Sequence, residues 1–359
     1  FAAVMQRIRE IDGQRQTVVM MQVQNEAGMR PAARDHSPVA EEQFSQPVPK
    51  ELMQSLAAQK ENLVAEFKEI WGGAGFRQAG TWPEVFGAAA DEVFSAWHVA
   101  RYINKIAEAG KAEYALPMFA NAWLVQRKGQ QPGAYPSGGP VAKMMNVWRA
   151  AAPAIDLLAP DIYLDDFKGI TEEYTQAGNP LLIPEARRDE TAAANAFYAI
   201  GQHGAIAFAP FGIDSMPDDH PIRETYKLLS SISHLVAQHH GAGSMAGILQ
   251  GKDQQSQEID IGAYRIKIEF SRSSEKGAAP GAGLVIALSP DEYLVAGMNI
   301  KPQFQPRPDS GRGVDFLSID EGVFQDGKWV AGRRLNGDER IMQLGGKPGL
   351  LRVKLYSHP

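Results

Sequence analysis

Residues 17–26 read TVVMMQVQNE. A short apolar run rich in β-branched and Met side chains predicts a buried parallel strand over 17–24. It ends on Asn25 and Glu26. Similar runs recur at 115–124 (ALPMFANAWL), 160–164 (PDIYL), 180–184 (PLLIP, leading into Glu185) and 205–211 (AIAFAPF). Helical patterning fills the intervals, at 49–70, 82–109, 143–158, 167–177, 190–203 and 223–240. Five strands alternating with helices predict a parallel sheet with right-handed crossovers.

The texture changes at residue 243. Residues 263–270 (AYRIKIEF) alternate apolar and polar, as a half-buried strand does. Further strand candidates follow at 284–288, 292–298, 314–319, 328–333 and 350–356. Turns are expected at 277–283, Asp326-Gly327 and Asn336-Gly337. The reading is an α/β part over 1–242 and an antiparallel β-sandwich or jelly-roll domain over 243–359. A length of 359 residues suits two domains.

Composition narrows the function classes. Net charge is −6 and no Lys/Arg block stands out, which argues against a nucleic-acid groove or a surface for anionic membrane. No apolar run reaches the roughly 18 residues a membrane span needs. The absence of cysteine excludes disulfides, thiolate metal sites and a cysteine nucleophile. His234, His239 and His240 lie on the last helix with no carboxylate at ligand spacing, so no metal is expected. Residues 241–246 (GAGSMA) formally fit a dinucleotide fingerprint but follow a helix instead of a strand, and no cofactor is expected. Asp214, Asp218, Asp219 and His220 read as a loop network rather than an ion site, with substrate contact left open.

Catalytic groups of β/α barrels stand at the C-terminal ends of strands. Glu26 and Glu185 both hold that position, where a carboxylate is costly without a partner or a task. Two such carboxylates suit glycoside hydrolysis, which needs one acid and one ionised carboxylate flanking the glycosidic bond. Asn25 is placed to offer an amide to the sugar hydroxyl beside the reacting carbon.

The segment VQVQNEAG resembles the strand-four signature of clan A glycosidases, in which Asn precedes the acid/base Glu. The longer stretch NEAGMRPAARDHSPVAEEQFSQPVPKEL resembles a bacterial branch of glycoside hydrolase family 35, the β-galactosidases. That branch carries an RDYSP-like motif, here Arg34-Asp35-His36-Ser37-Pro38, with His where Tyr is commoner. PLLIPEARRD is similar to the family's strand-seven segment. The resemblance covers roughly 1–240 and, more loosely, the β domain. It implies a (β/α)8 TIM barrel of which this chain carries strands four to eight, followed by the antiparallel β-sandwich. Glu26 would be the acid/base and Glu185, 159 residues on, the nucleophile.

From strand position, Tyr163 is a candidate to hydrogen-bond Glu185. Asn121 and Trp123 end the second strand and Phe211 the fifth, as candidate sugar contacts. Arg34 and Asp35, on the long loop, are candidates to bind sugar hydroxyls or to pair with each other. The plain alternatives are a core tyrosine, interdomain packing for Trp123 and a solvated loop pair. Phe1 opens directly into an amphipathic pattern (Val4, Met5, Ile8, Ile11), so strands one to three, about 90 residues at roughly 30 per βα unit, are expected from upstream sequence or a companion chain.

The resemblance implies a retaining exo-β-galactosidase acting on oligo- or polysaccharides, with a periplasmic or extracellular bacterial location. The implied partner is a carbohydrate substrate, with no nucleic acid and no membrane, and a homo-oligomer is left open. The rivals are a β-mannosidase- or β-glucosidase-type member of clan A and a catalytically silent carbohydrate-binding protein.

Overall fold

In a computed structural model of the chain, which describes residues 1–271, 278–308 and 310–359, only Met21–Gln22 (β1) of the opening stretch is paired as a strand. The start of that stretch is captured by a side chain instead of a ladder. Asp12, at the end of helix α1 (Ala2–Asp12), accepts from the backbone N–H of Thr17 at 3.1 Å and of Val18 at 2.7 Å, and from the Thr17 hydroxyl. The Thr17 hydroxyl first, and the Val18 amide second, hold the Asp12 carboxyl below the usual carboxylate range.

Two compact units make up the chain, Phe1–Glu185 and Ala186–Pro359. In the first, β1 is followed by α2 (Pro38–Ser45), α3 (Lys50–Ala58), α4 (Ala65–Gly73), α5 (Trp82–Phe86) and the long α6 (Ala90–Glu113). Then come β2 (Met118–Trp123), α7 (Met145–Ala151), β3 (Leu157–Ile162), α8 (Phe167–Tyr174) and β4 (Leu182–Ala186), whose last residue opens the second unit. The sheet order is β1-β2-β3-β4, and β1–β2 and β2–β3 pair in parallel.

Several expected helices are shorter or broken. The 49–70 stretch divides into α3 and α4 at a 3-10 turn over Lys60–Asn62, and the Val64 N–H beyond it is taken by Asn146 Oδ1 at 2.9 Å. The 82–109 stretch divides at Gly87, whose φ of +56° suits glycine. Helix α7 stops at Ala151, two residues before Pro153, which disfavours helix for the residue preceding it.

Strand register positions the site. Gln22 lies opposite Phe119, Asn121 opposite Ala159 and Trp123 opposite Asp161. Because side chains alternate with a period of two, one face carries Phe119, Asn121 and Trp123 beside Leu157, Ala159 and Asp161. Toward the strand starts this face is apolar, where Leu157, Ala159 and Leu182 pack with Met20 and Phe119. Toward the strand ends it turns polar, with Gln22, Asn121 and Asp161.

The second unit begins with α9 (Ala192–His203), β5 (Ala207–Pro210), α10 (Pro221–Ser231) and α11 (Ser233–His239), the last two separated at Ile232. Among the described residues nine strands follow: β6 (Met245–Leu249), β7 (Ser256–Ile261), β8 (Tyr264–Phe270), β9 (Ala282–Ser289), β10 (Glu292–Met298), β11 (Ile300–Pro306), β12 (Gly313–Gln325), β13 (Lys328–Arg334) and β14 (Gly349–His358). They form two sheets, ordered β13-β12-β14-β10-β9-β6 and β11-β8-β7. Neighbouring strands within both sheets run antiparallel. Alternate residues of β8 (Tyr264, Ile266, Ile268, Phe270) share one core with Val285, Tyr293, Val295, Leu351 and Val353.

Strands β6, β7 and β11 were not expected. β11 carries Pro302 and Pro306, which lack the ladder N–H, and it survives at the edge of its sheet, where β8 is its neighbouring strand. Within this unit α9 packs on β6 and β9 so closely that a Cβ on Gly201 would stand 2.5 Å from Leu284 Cβ. The expected turn at 277–283 starts at residue 277, outside the described residues. Among the described residues, no helix is long and apolar enough to cross a membrane.

Candidate active site

The site is built on the strand ends of the first unit. After β1 the backbone leaves the sheet through two left-handed residues, Gln24 (φ +66°) and Glu26 (φ +46°). Such a conformation costs a non-glycine residue of order 1–3 kcal/mol and persists only where its surroundings enforce it. Here the Glu26 N–H donates to Asn121 Oδ1 at 3.0 Å. The next turn of chain is seated against 136–139: a Cβ on Gly28 would meet the Pro136 backbone at 2.6 Å, and Met29 and Ser137 exchange backbone hydrogen bonds of 2.8 and 2.9 Å.

Asn121 is the hub of this arrangement and is buried. Its Nδ2 donates to Asn25 Oδ1 at 3.0 Å and to Asp161 Oδ2 at 2.7 Å. Its Oδ1 accepts from Gln22 Nε2 and from Glu26 N, both at 3.0 Å. All four of its hydrogen-bonding positions are therefore spent inside the protein. Gln22 Nε2 also donates to Asn25 Oδ1 at 3.0 Å. With its oxygen held by two donors, exposed Asn25 has its amide nitrogen left to donate outward.

Three carboxyl groups converge here. Oxygen atoms of Glu26, Asp161 and Glu185 all lie within 4.8 Å of one another. Glu26 and Glu185 are half-buried, whereas Asp161 is only 3% exposed. The Tyr163 hydroxyl donates to Glu185 Oε2 at 2.8 Å. Burial first, then the Glu185 charge and the contact with Glu26, push the Asp161 carboxyl up to about 9, against which the Asn121 amide works. Burial, followed by the bond to Glu185, raises the Tyr163 hydroxyl well above its ordinary range, so it stays a donor.

The other expected residues are placed as follows. Trp123 is 37% exposed, and the Arg30 guanidinium sits over its ring at 4.8 Å, covering one face. Arg34 is buried and engages Glu41 through two parallel hydrogen bonds of 3.0 Å and Asp91 through one of 2.9 Å, with the Phe44 ring 4.0 Å away. Asp35 does not pair with it through its carboxylate. That group takes the N–H and hydroxyl of Ser37, the cap of α2, at 2.8 and 3.0 Å. Arg34 thus fastens the long loop to α6, and Asp35 shapes it. A cleft of about 380 Å³ beside this loop is lined by Gln24, Gly28, Met29 and Asp35 and by Phe94 and His98 of α6. Phe211 belongs to the second unit, just after β5, and is exposed there.

Sequence reasoning did not single out Asp161, Gln22 or Arg30. Two of them had a legible signal. Asp161 stands two residues before Tyr163, which directly follows β3, so the period of two puts it on the same side. Gln22 is the polar residue one period before Gln24 at the strand end. Arg30 sits in an irregular loop, where no period points anywhere.

Among the described residues, the Glu26–Asp161–Glu185 trio is the cluster of acids or histidines whose donor atoms lie close enough to share a cation. Repulsion among three carboxylates is relieved either by a cation or by a proton. The burial of Asp161, which disfavours its charged form, favours the proton.

Comparison with known proteins adds little to this geometry. Residues 222–344, all in the second unit, match a family model described as a domain of unknown function (DUF5597). No curated protein matches the sequence. One solved structure similar to the chain is a monomeric β-xylosidase from Caulobacter crescentus CB15, at 10% sequence identity and a TM-score of 0.27, covering 72% of this chain and 75% of that one. So loose a superposition supports no statement about activity, and the functional reading rests on the site itself.

Proposed function

We propose that the chain carries the catalytic machinery of a retaining β-glycosidase, with Glu185 as nucleophile and Glu26 as general acid/base. The observation that carries this reading is the approach of Glu26 and Glu185 oxygens to within 4.8 Å. Retaining enzymes hold their two carboxyl groups about 5–5.5 Å apart, whereas inverting ones leave roughly 6.5–9.5 Å for a water molecule. The Tyr163 hydroxyl on Glu185 and the outward amide of Asn25 beside Glu26 support the same assignment.

In the first step a Glu185 oxygen bonds to the anomeric carbon, the glycosidic C–O bond breaks and Glu26 gives its proton to the leaving oxygen. In the second, water bonds to that carbon, Glu26 takes the water proton and the bond to Glu185 breaks. Asn25 Nδ2 donates to the sugar hydroxyl next to the reacting carbon, a bond that strengthens in the transition state. Trp123 supplies an aromatic edge to the mouth.

The resemblance of 1–240 to glycoside hydrolase family 35 makes terminal β-galactosyl residues the first substrate class to try. Further strands are proposed to pair with the outer edge of β1, in the manner of a complete (β/α)8 barrel. That edge is unpaired among the described residues, and Val4, Ile11, Val19 and Tyr102 are exposed on α1, α6 and the approach to β1.

The test is hydrolysis of nitrophenyl β-galactoside, β-glucoside, β-mannoside and β-xyloside by the wild-type chain and by Glu26→Gln and Glu185→Gln. One glycoside is expected to be turned over, with kcat reduced at least about a thousandfold in Glu185→Gln. Turnover unaffected by either substitution, or no turnover of any glycoside, overturns the reading.

A further inference from the structure

We propose that Asp161 is a positioning residue that carries a resident proton, donating a hydrogen bond to Glu26 and holding that group in line while its charge appears and disappears during turnover. This rests on the glycosidase reading and adds a third carboxyl group to it.

The geometry makes the case. Three carboxyl groups within 4.8 Å of one another repel strongly if all are ionised. The charge is hardest to keep on the group with least access to water, and Asp161 is the buried one. Its two oxygens are unequal. Oδ2 accepts from Asn121 Nδ2 at 2.7 Å, whereas Oδ1 is buried with no donor. An ionised Asp161 leaves Oδ1 stranded; a protonated one turns Oδ1 into a donor, and the Glu26 carboxyl, with which Asp161 is in hydrogen-bonding contact, is the acceptor.

Among the described residues, the groups that act most strongly on Asp161 are acids and an amide, with two phenols beside them. Glu26 faces it from the loop after β1, Asn121 from β2, Glu185 from β4, Tyr163 from just past its own strand and Tyr174 from α8. Burial and the two glutamates together move its titration up to about 9.

The consequence for the reaction follows. When Glu26 gives its proton to the leaving oxygen it becomes an anion, and a neutral donor facing it stabilises that state. An ionised Asp161 would oppose it. When Glu26 takes a proton back from water, Asp161 keeps its own, so no net transfer to or from Asp161 occurs in either half-reaction. Glu26 is then tethered twice, by its backbone N–H to Asn121 and by its carboxyl to Asp161, which helps enforce its left-handed backbone.

Two measurements on the whole chain test this. The first is a carboxyl ¹³C NMR titration of Asp-labelled protein, with the Asp161 signal identified by its loss in Asp161→Asn. That signal is expected to titrate above about pH 8; titration near the ordinary aspartate value of about 4 overturns the proposal. The second compares pH–rate profiles of wild type, Asp161→Asn and Asp161→Ala. The Asn variant, whose amide still donates to Glu26, is expected to keep kcat within about tenfold and to extend the alkaline limb by at least about one pH unit. The Ala variant is expected to lose about a hundredfold or more in kcat with KM little changed. An unmoved alkaline limb in Asp161→Asn, or an Asn variant as impaired as the Ala one, overturns the proposal. If the Ala variant fails to fold, the isosteric Asn variant still decides. A wild type that hydrolyses no glycoside sinks the glycosidase reading and the catalytic role with it, while the NMR titration independently decides where the proton sits.

Discussion

The Tyr163 hydroxyl is hydrogen-bonded to Oε2 of Glu185 across 2.8 Å, joining the residue after β3 to the penultimate residue of β4. The bond fixes one carboxylate oxygen and so aims the other. Removing it in Tyr163→Phe keeps the ring and its packing. The expected result is a fall in kcat of about 10- to 100-fold with KM changed far less, since the interaction orients the reacting group and does not bind sugar directly. Steady-state kinetics on the best glycoside of the panel check this. An equal loss spread into KM would show that Tyr163 binds substrate instead.

Arg34 separates structure from catalysis. It is buried, with its guanidinium shared between Glu41 and Asp91 and stacked on Phe44. Arg34→Met removes the positive charge that faces two half-exposed acids, a loss which solvent partly compensates. The melting temperature should therefore fall by only about 5 °C. Turnover per folded molecule should remain within about threefold of wild type. Differential scanning calorimetry and active-site-normalised kinetics decide it. A collapse of kcat at unchanged stability would make Arg34 a site residue.

Gly28 is where the Glu26 loop touches 136–139. An alanine there brings a Cβ to 2.6 Å from Pro136 backbone atoms, which cannot swing aside as a side-chain tip can. Gly28→Ala is expected to cost about 2 kcal/mol or more. Activity should drop beyond what the lost stability explains, because the strained Glu26 lies two residues away. Chemical denaturation paired with kinetics on the folded fraction tests both parts, and wild-type activity in a destabilised variant would contradict the second.

Asp161 also writes a pH signature into stability. Its carboxyl is pushed up to about 9 in the folded chain, so the folded state holds a proton that the unfolded chain has released by about pH 5. The resulting stability is complete below the unfolded aspartate value. It is lost progressively as pH rises toward about 9 and levels off beyond. Asp161→Asn removes this dependence. The variant should melt above wild type at pH 8, with a smaller difference at pH 5. Melting curves of the two proteins that run parallel from pH 5 to 9 would exclude a buried proton on Asp161.

The sequence made part of this legible and hid the rest for physical reasons. The Asn25-Glu26 and Pro184-Glu185 junctions are readable because a carboxylate directly after an apolar strand is conspicuous. Tyr163 was readable from its place at a strand end. Asp161 was hidden inside a run that reads as hydrophobic, although its two-residue offset from Tyr163 placed it on the same face. The hub role of Asn121 depends on which neighbours reach its amide, and no spacing encodes that. Strand boundaries erred where side chains captured backbone, as Asp12 does at Thr17 and Val18, and β11 was missed because its prolines argue against any strand other than an edge one.

The central claim, that Glu185 attacks the sugar with Glu26 as its acid/base partner, is tested most directly by trapping. The full chain is incubated with a 2-deoxy-2-fluoro glycosyl fluoride of the sugar it cleaves, then digested and analysed by mass spectrometry. The fluorine slows both steps and the good leaving group spares the first, so a covalent intermediate accumulates. The account predicts one fluoroglycosyl adduct, on Glu185. An adduct on Glu26 or Asp161, or no adduct in a protein that hydrolyses the parent glycoside with inversion, would contradict it.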